Sequence, residues 1–185
     1  MAQVRMSSAL LFSGFVGLLV LQRFWELKRS QQNIKILLES GGEEFFPRHY
    51  PVMVALHSGW ILSMLLEVWI LDREFSWQLA GPSMILVIIG QGLRYHAILT
   101  LGTHWNTKIV LVPGKEALRS GLYRYFRHPN YLGVVLEIAF FPLLHSAIWT
   151  SIFFSIANAM LLFHRIRCEE KALTDYCAYQ QVFKD

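Results

Sequence analysis

The chain has 185 residues, with 17 Lys and Arg against 13 Asp and Glu, for a formal charge of +4. Hydrophobic residues make up 54% and charged residues only 16%, against roughly 25% in an average soluble domain. This excludes an intrinsically disordered chain, a collagen-like chain and a nucleic-acid-binding tail, and the two cysteines, Cys168 and Cys177, exclude a disulfide framework.

The apolar residues gather in long uncharged runs. From Met6 to Gln22 no residue is charged, and the run reads as a retained span rather than a cleaved signal peptide. Gly41-Gly42-Glu43-Glu44 then reads as a loop. Between Arg48 and Asp72 the only carboxylate is Glu67, and from Phe75 to Leu93 there is no charge. A helical crossing takes about 20 apolar residues, so each of these runs is one span. Between Arg127 and Arg165 lie 37 residues whose only acid or base, histidines aside, is Glu137. As one helix they would extend roughly 55 Å, too far for one crossing. Pro142 and His145 interrupt them, so the spacing predicts a helical hairpin with arms near 131–141 and 146–164.

The expected fold is therefore an all-α polytopic membrane protein of five transmembrane helices. It is a single domain over residues 1–185, with three N-terminal spans in 1–100 and a cofactor-binding core in 101–185. Fifteen of the 17 basic residues fall in the segments after spans one, three and five, while Arg5 and Arg73 lie on the other side. The positive-inside rule then places the N-terminus outside and the C-terminus in the cytoplasm, and a bacterial inner membrane is the expected location. Both cysteines face a reducing compartment.

Unusual polar density falls in two stretches, 101–133 and 163–182. In the first, Tyr123, Arg124, Tyr125, Arg127, His128 and Tyr131 crowd around Pro129. Such rings can hold a flat heterocycle, or equally form an interfacial aromatic belt. In the second, Arg165 and Glu169 stand at i, i+4, and Arg167 stands near Glu170 and Lys171, which spacing alone reads as a surface ion-pair ladder. Within the apolar runs, Glu137 is a functional candidate because a carboxylate in hydrocarbon is costly; Glu67 is read as structural. His57, His96 and His104 are scattered, so no metal is expected. No Gly-rich dinucleotide motif, nucleophile elbow or Cys-x-x-Cys is present.

The run Gly121-Leu122-Tyr123-Arg124-Tyr125-Phe126-Arg127-His128-Pro129-Asn130-Tyr131-Leu132-Gly133 resembles a known family when taken with Arg165-Ile166-Arg167-Cys168-Glu169-Glu170-Lys171-Ala172-Leu173 and Tyr176. The family is that of the isoprenylcysteine carboxyl methyltransferases, and the resemblance covers residues 101–182. Trp105-Asn106-Thr107, Asn130 and Glu137 make the chain most similar to its short bacterial members, some of which resemble methyltransferases of alkylpyrone or alkylresorcinol polyketides. The resemblance implies S-adenosylmethionine as cofactor, held at the cytoplasmic face. It implies cofactor contacts from Tyr123, His128, Pro129, Asn130, Tyr131 and Glu169, with backbone contacts from the strip Lys115, Glu116, Ala117 and Leu118. It implies that Arg165 lies on the substrate side.

The expected reaction is O-methylation of a lipophilic acceptor, at a carboxylate oriented by Arg165 or at an enolic or phenolic hydroxyl with Glu137 as general base. The acceptor would enter sideways from the membrane. No nucleic acid and no obligate protein partner are expected. The rival readings are a phospholipid N-methyltransferase, a sterol-reductase-like enzyme, and a non-catalytic scaffold or transporter subunit.

Overall fold

The structure is a computed structural model that describes residues 2–115 and 120–177. It is built of five α-helices: α1 Ala2–Glu39, α2 Tyr50–Ile70, α3 Trp77–Leu101, α4 Pro129–Phe140 and α5 Ile148–Tyr176. Among the described residues, α1, α2 and α3 are long and apolar enough to cross a membrane. Leu18, Leu21, Ile70, Ile88, Leu99, Phe153, Ile156 and Met160 point outward and stay exposed, the surface of a chain whose solvent is lipid.

The five apolar segments became the five helices, with two extensions. Helix α1 continues 17 residues past Gln22 because Arg23, Glu26, Ser30 and Asn33 all find partners on other elements. Helix α5 runs past His164 to Tyr176. The hairpin forms where Pro142 and His145 stand. Helix α4 ends, one 3-10 turn covers Pro142–His145, and Ser146 reverses the chain at φ 56°. With 12 residues, α4 extends only about 18 Å.

Two close approaches set the frame. On α4, a Cβ at Gly133 would meet the Gly90 carbonyl oxygen and Arg94 Cγ, each at 2.7 Å, so the glycine lets α4 lie against α3. After α1, Gly41 takes φ 83° and the Gly42 N–H returns to the Leu37 carbonyl at 2.8 Å, which closes the helix. What the sequence reads as loop at Glu43 and Glu44 is a two-residue strand, β1, paired antiparallel with β2, Val110–Leu111.

The core joins α1, α2, α4 and α5 through Phe12, Val16, Trp60, Met64, Ile138 and Phe154. At the end of the bundle away from β1 and β2, Glu67 caps α5. It accepts hydrogen bonds from the Trp149 and Thr150 amides at 3.1 and 2.7 Å and pairs with Arg73 at 2.7 Å.

Candidate active site

The loop end of the bundle is assembled around α1. Asn33 donates to the carbonyls of Gly102 and Trp105 at 3.0 and 2.6 Å, and Ser30 bonds Thr107 at 2.9 Å. These contacts fold residues 102–107 over the bundle and bury Trp105. The β1–β2 pair continues the same strip, and Lys108 pairs with Glu44 at 2.8 Å. Opposite it, the 3-10 turn Gly121–Arg124 is fixed by His96, whose Nε2 accepts the Leu122 amide at 3.1 Å. Pro129 then starts α4 at a position where its missing N–H costs nothing.

Between these walls lies a cleft of about 170 Å³. Its lining includes Tyr123, His128, Asn130, Tyr131 and Glu169, together with Lys115 and the backbone strip from Ile109 to Val112. Five of the residues implied as cofactor contacts thus converge from three segments. Pro129 is buried behind them as the first residue of α4, and Leu118 lies outside the described residues. The Tyr131 hydroxyl donates to the Glu169 carboxylate, and its ring stacks on His128 with centroids 5.3 Å apart. His128 Nε2 lies 3.2 Å from Glu170. Burial, and then the Glu169 carboxylate, pushes the Tyr123 phenol above its ordinary pKa. Asn130 Oδ1 is buried with no hydrogen-bond partner.

The ion-pair ladder expected on α5 does not form. Arg165 turns away from the surface and is 4% exposed. Its Nε donates to the Tyr131 hydroxyl at 2.9 Å. One terminal nitrogen lies 3.0 Å from His49 Nε2 and 3.4 Å from Met53 Sδ, and the other donates to the Thr107 carbonyl at 2.8 Å. Glu170 instead faces His128 and Arg127, and Arg167 lies over the Phe163 ring. To clamp an acceptor carboxylate bidentately, as expected, Arg165 would have to exchange these partners. Its donors are spent on the protein, where they tie α5 to α4, α2 and the 107–108 backbone.

A second cavity of about 390 Å³ lies deeper, between α1, α2, α4 and α5, with Arg94 of α3 and residues 105–107 also in its wall. Val20, Phe24, Leu27, Ile61, Val134 and Leu162 give it mostly apolar walls. It meets the first cleft at Trp105, Asn106, Asn130, Tyr131 and Arg165, which line both.

Glu137 is not the solitary carboxylate that its sequence setting suggests. It is 1% exposed, pairs with Arg23 of α1, and lies 3.5 Å from Arg94 of α3. Arg94 also reaches Glu26 at 2.5 Å, and Glu26 in turn pairs with Arg23. Two cations and two anions from three helices thus form a closed cluster. Arg23, Glu26 and Arg94 line the apolar cavity, whereas Glu137 lines neither cavity. The carboxylate expected as a general base is thus engaged by two guanidiniums.

Sequence reasoning missed the contribution of the N-terminal half. His49, Tyr50, Met53 and His57 carry no motif, and they reach the site only because α2 packs on α5. Arg23 and Glu26 stand at i, i+3 beyond the first apolar run, a spacing that could have signalled the pair but not its burial.

A model of the isoprenylcysteine carboxyl methyltransferase family matches residues 83–175. The chain is 41% identical over 162 residues to the YpbQ protein of Bacillus subtilis, covering 87% of this chain and 95% of that one. It is 25% identical over 153 residues to a Haemophilus influenzae protein, covering 82% and 88%. It is 28% identical over 155 residues to the protein-S-isoprenylcysteine O-methyltransferase of Tribolium castaneum, covering 75% of this chain and 52% of that enzyme. The chain therefore spans about half the length of that relative. Helices suited to a membrane, a cleft built from both motifs and this match together show that the chain belongs to the isoprenylcysteine carboxyl methyltransferase family.

Proposed function

We propose that this chain is an S-adenosylmethionine-dependent O-methyltransferase acting on a lipophilic acceptor with an enolic or phenolic hydroxyl. The observation that carries this reading is the junction of the two cavities. A polar cleft at the loop end and an apolar cavity among the helices share five wall residues, so two ligands of opposite polarity can meet there. The cleft fits the cofactor's chemistry. The Glu169 carboxylate matches an ammonium, Asn130 Oδ1 lacks a donor, and Tyr123 and His128 offer ring faces. S-adenosylmethionine supplies an activated methyl on a sulfonium.

The chain's own contribution is positioning and electrostatics. An in-line displacement needs no covalent enzyme intermediate, and holding the reactants in line supplies much of the acceleration. Tyr131 is held from both sides, by Arg165 and by Glu169, so the junction is rigid. With its N–H groups engaged, Arg165 serves as a fixed positive charge near the reacting oxygen, favouring its oxyanion, and the hydroxyl proton leaves to solvent through the polar cleft. A carboxylate acceptor would need free donors at the junction; the saturation of Arg165 favours the hydroxyl. The apolar tail lies against Val20, Phe24, Ile61 and Leu162. The basic-residue partition supports placing the loop end at the cytoplasmic face, and a cysteine introduced at Glu74 is then labelled from outside intact cells.

The deciding experiment incubates the purified protein in detergent with methyl-labelled S-adenosylmethionine and matched long-chain phenols, enols and carboxylic acids, with products read by mass spectrometry. Label on the phenol or enol oxygen is the expected result. Label on carboxylates alone would return the chain to the ester-forming reading. Label on a lipid amine would support the phospholipid N-methyltransferase.

A further inference from the structure

One group that touches Arg165 has no part in the reading above. Nε of Arg165 donates to the Tyr131 hydroxyl at 2.9 Å, and one terminal nitrogen donates to the Thr107 carbonyl at 2.8 Å. The other terminal nitrogen lies 3.0 Å from Nε2 of His49 and 3.4 Å from Met53 Sδ. A guanidinium only donates, so Nε2 accepts, the ring hydrogen sits on Nδ1, and the imidazole is neutral. A thioether is a weak acceptor, which leaves His49 as the good partner for that nitrogen. His49 is 6% exposed and lines neither cavity, so it reaches a ligand only through Arg165.

The backbone delivers the imidazole to this spot. The Phe45 amide donates to the Ile109 carbonyl at 2.8 Å, which ties the chain to the strip above the cleft. Phe46 then takes φ 50°, a left-handed conformation that is costly for a residue with a side chain. The 3-10 turn Pro47–His49 follows and runs directly into α2. The His49 ring meets His164 of α5 edge-on, with centroids 6.5 Å apart. From His49 the contacts run without a gap to Arg165, from Arg165 to the Tyr131 hydroxyl, and from that hydroxyl to the Glu169 carboxylate. Without the acceptor at His49, a buried guanidinium N–H is left unpaired and turns to find another partner. Tyr131 then loses one of the two bonds that hold it, and Glu169 is held less firmly in turn.

We propose that His49 is a positioning residue of the methyl-transfer site: its Nε2 lone pair fixes Arg165, and through Arg165 it fixes Tyr131 and Glu169 in the arrangement that receives the cofactor. The proposal rests on the reading of the polar cleft as the cofactor site.

The test measures S-adenosylhomocysteine binding and melting temperature for the full-length protein in detergent, as wild type, His49→Leu and His49→Gln. Leu removes the acceptor, whereas Gln offers a carbonyl oxygen in place of Nε2. His49→Leu is expected to bind about tenfold more weakly than wild type, and His49→Gln to recover affinity to within about threefold. The same comparison is made in an Arg165→Lys background. There His49→Leu is expected to cost no more than about twofold, because a residue that acts through Arg165 has nothing left to act on. Wild-type affinity in His49→Leu overturns the proposal. So does a His49→Gln variant that binds as weakly as His49→Leu, or an undiminished loss in the Arg165→Lys background. If Arg165→Lys does not fold, the first two comparisons decide. A His49→Gln variant that does not fold also overturns the proposal, since His49 then serves the fold alone. All these results leave the cofactor reading standing. If wild type itself binds no S-adenosylhomocysteine, the cofactor reading and the role of His49 fall together.

Discussion

Replacing Glu137 by Gln separates a structural from a catalytic carboxylate. The side chain is 1% exposed and faces Arg23 and Arg94, while Glu26 supplies the second negative charge of the cluster. Glu137→Gln keeps the shape and one hydrogen-bond acceptor, yet it leaves one positive charge uncompensated between three helices. Removing one partner of a buried ion pair costs about 3–5 kcal/mol, and the retained amide places this variant near 3 kcal/mol. For a chain of this length each kcal/mol moves the melting temperature by about 2–4 °C, so a fall of about 6–12 °C is expected. Thermal unfolding in detergent, followed by tryptophan fluorescence, reads it directly. The double variant Arg23→Gln/Glu137→Gln restores one cation against one anion and should melt above Glu137→Gln alone, a coupling that only a shared cluster produces. Turnover of the folded fraction should change little. An unchanged melting temperature with turnover reduced by about 10²–10⁴ would refute this reasoning and restore Glu137 as general base.

Glu169→Gln and His128→Ala should each weaken S-adenosylmethionine binding by about ten- to a hundredfold at unchanged melting temperature, checked by equilibrium binding. Gly133→Val should prevent α4 from approaching α3, because its Cβ would overlap the Gly90 carbonyl, and should abolish recovery of monodisperse protein from detergent. The Tyr123 phenol and the Cys177 thiol are both pushed up, by burial first. Groups with raised pKa contribute stability that is full below their ordinary values and lost as pH rises through the raised ones. Melting temperature should therefore hold to about pH 8.5 and fall beyond it, with Tyr123→Phe and Cys177→Ser flattening the decline.

The helices and one half of the site are legible in the amino-acid order alone. Charge-free runs end where charges begin, so α2, α3 and the α4–α5 hairpin were legible from hydropathy and from Pro142. The motif around His128 and the segment around Glu169 were legible as one cleft because both flank the same hairpin, which returns them to the same end of the bundle. Charge pattern cannot say which way a long side chain turns. Arg165 and Glu169 stand at i, i+4 and still part, because Tyr131 offers a hydroxyl that bonds both and the Thr107 carbonyl draws the guanidinium inward. Glu137 looked alone because its partners lie 114 and 43 positions away, on helices that meet only when Gly133 lets α4 onto α3. The second cavity has no linear signature. Its walls come from all five helices and from residues 105–107, and only their packing leaves a space that joins the cleft at Asn130, Tyr131 and Arg165.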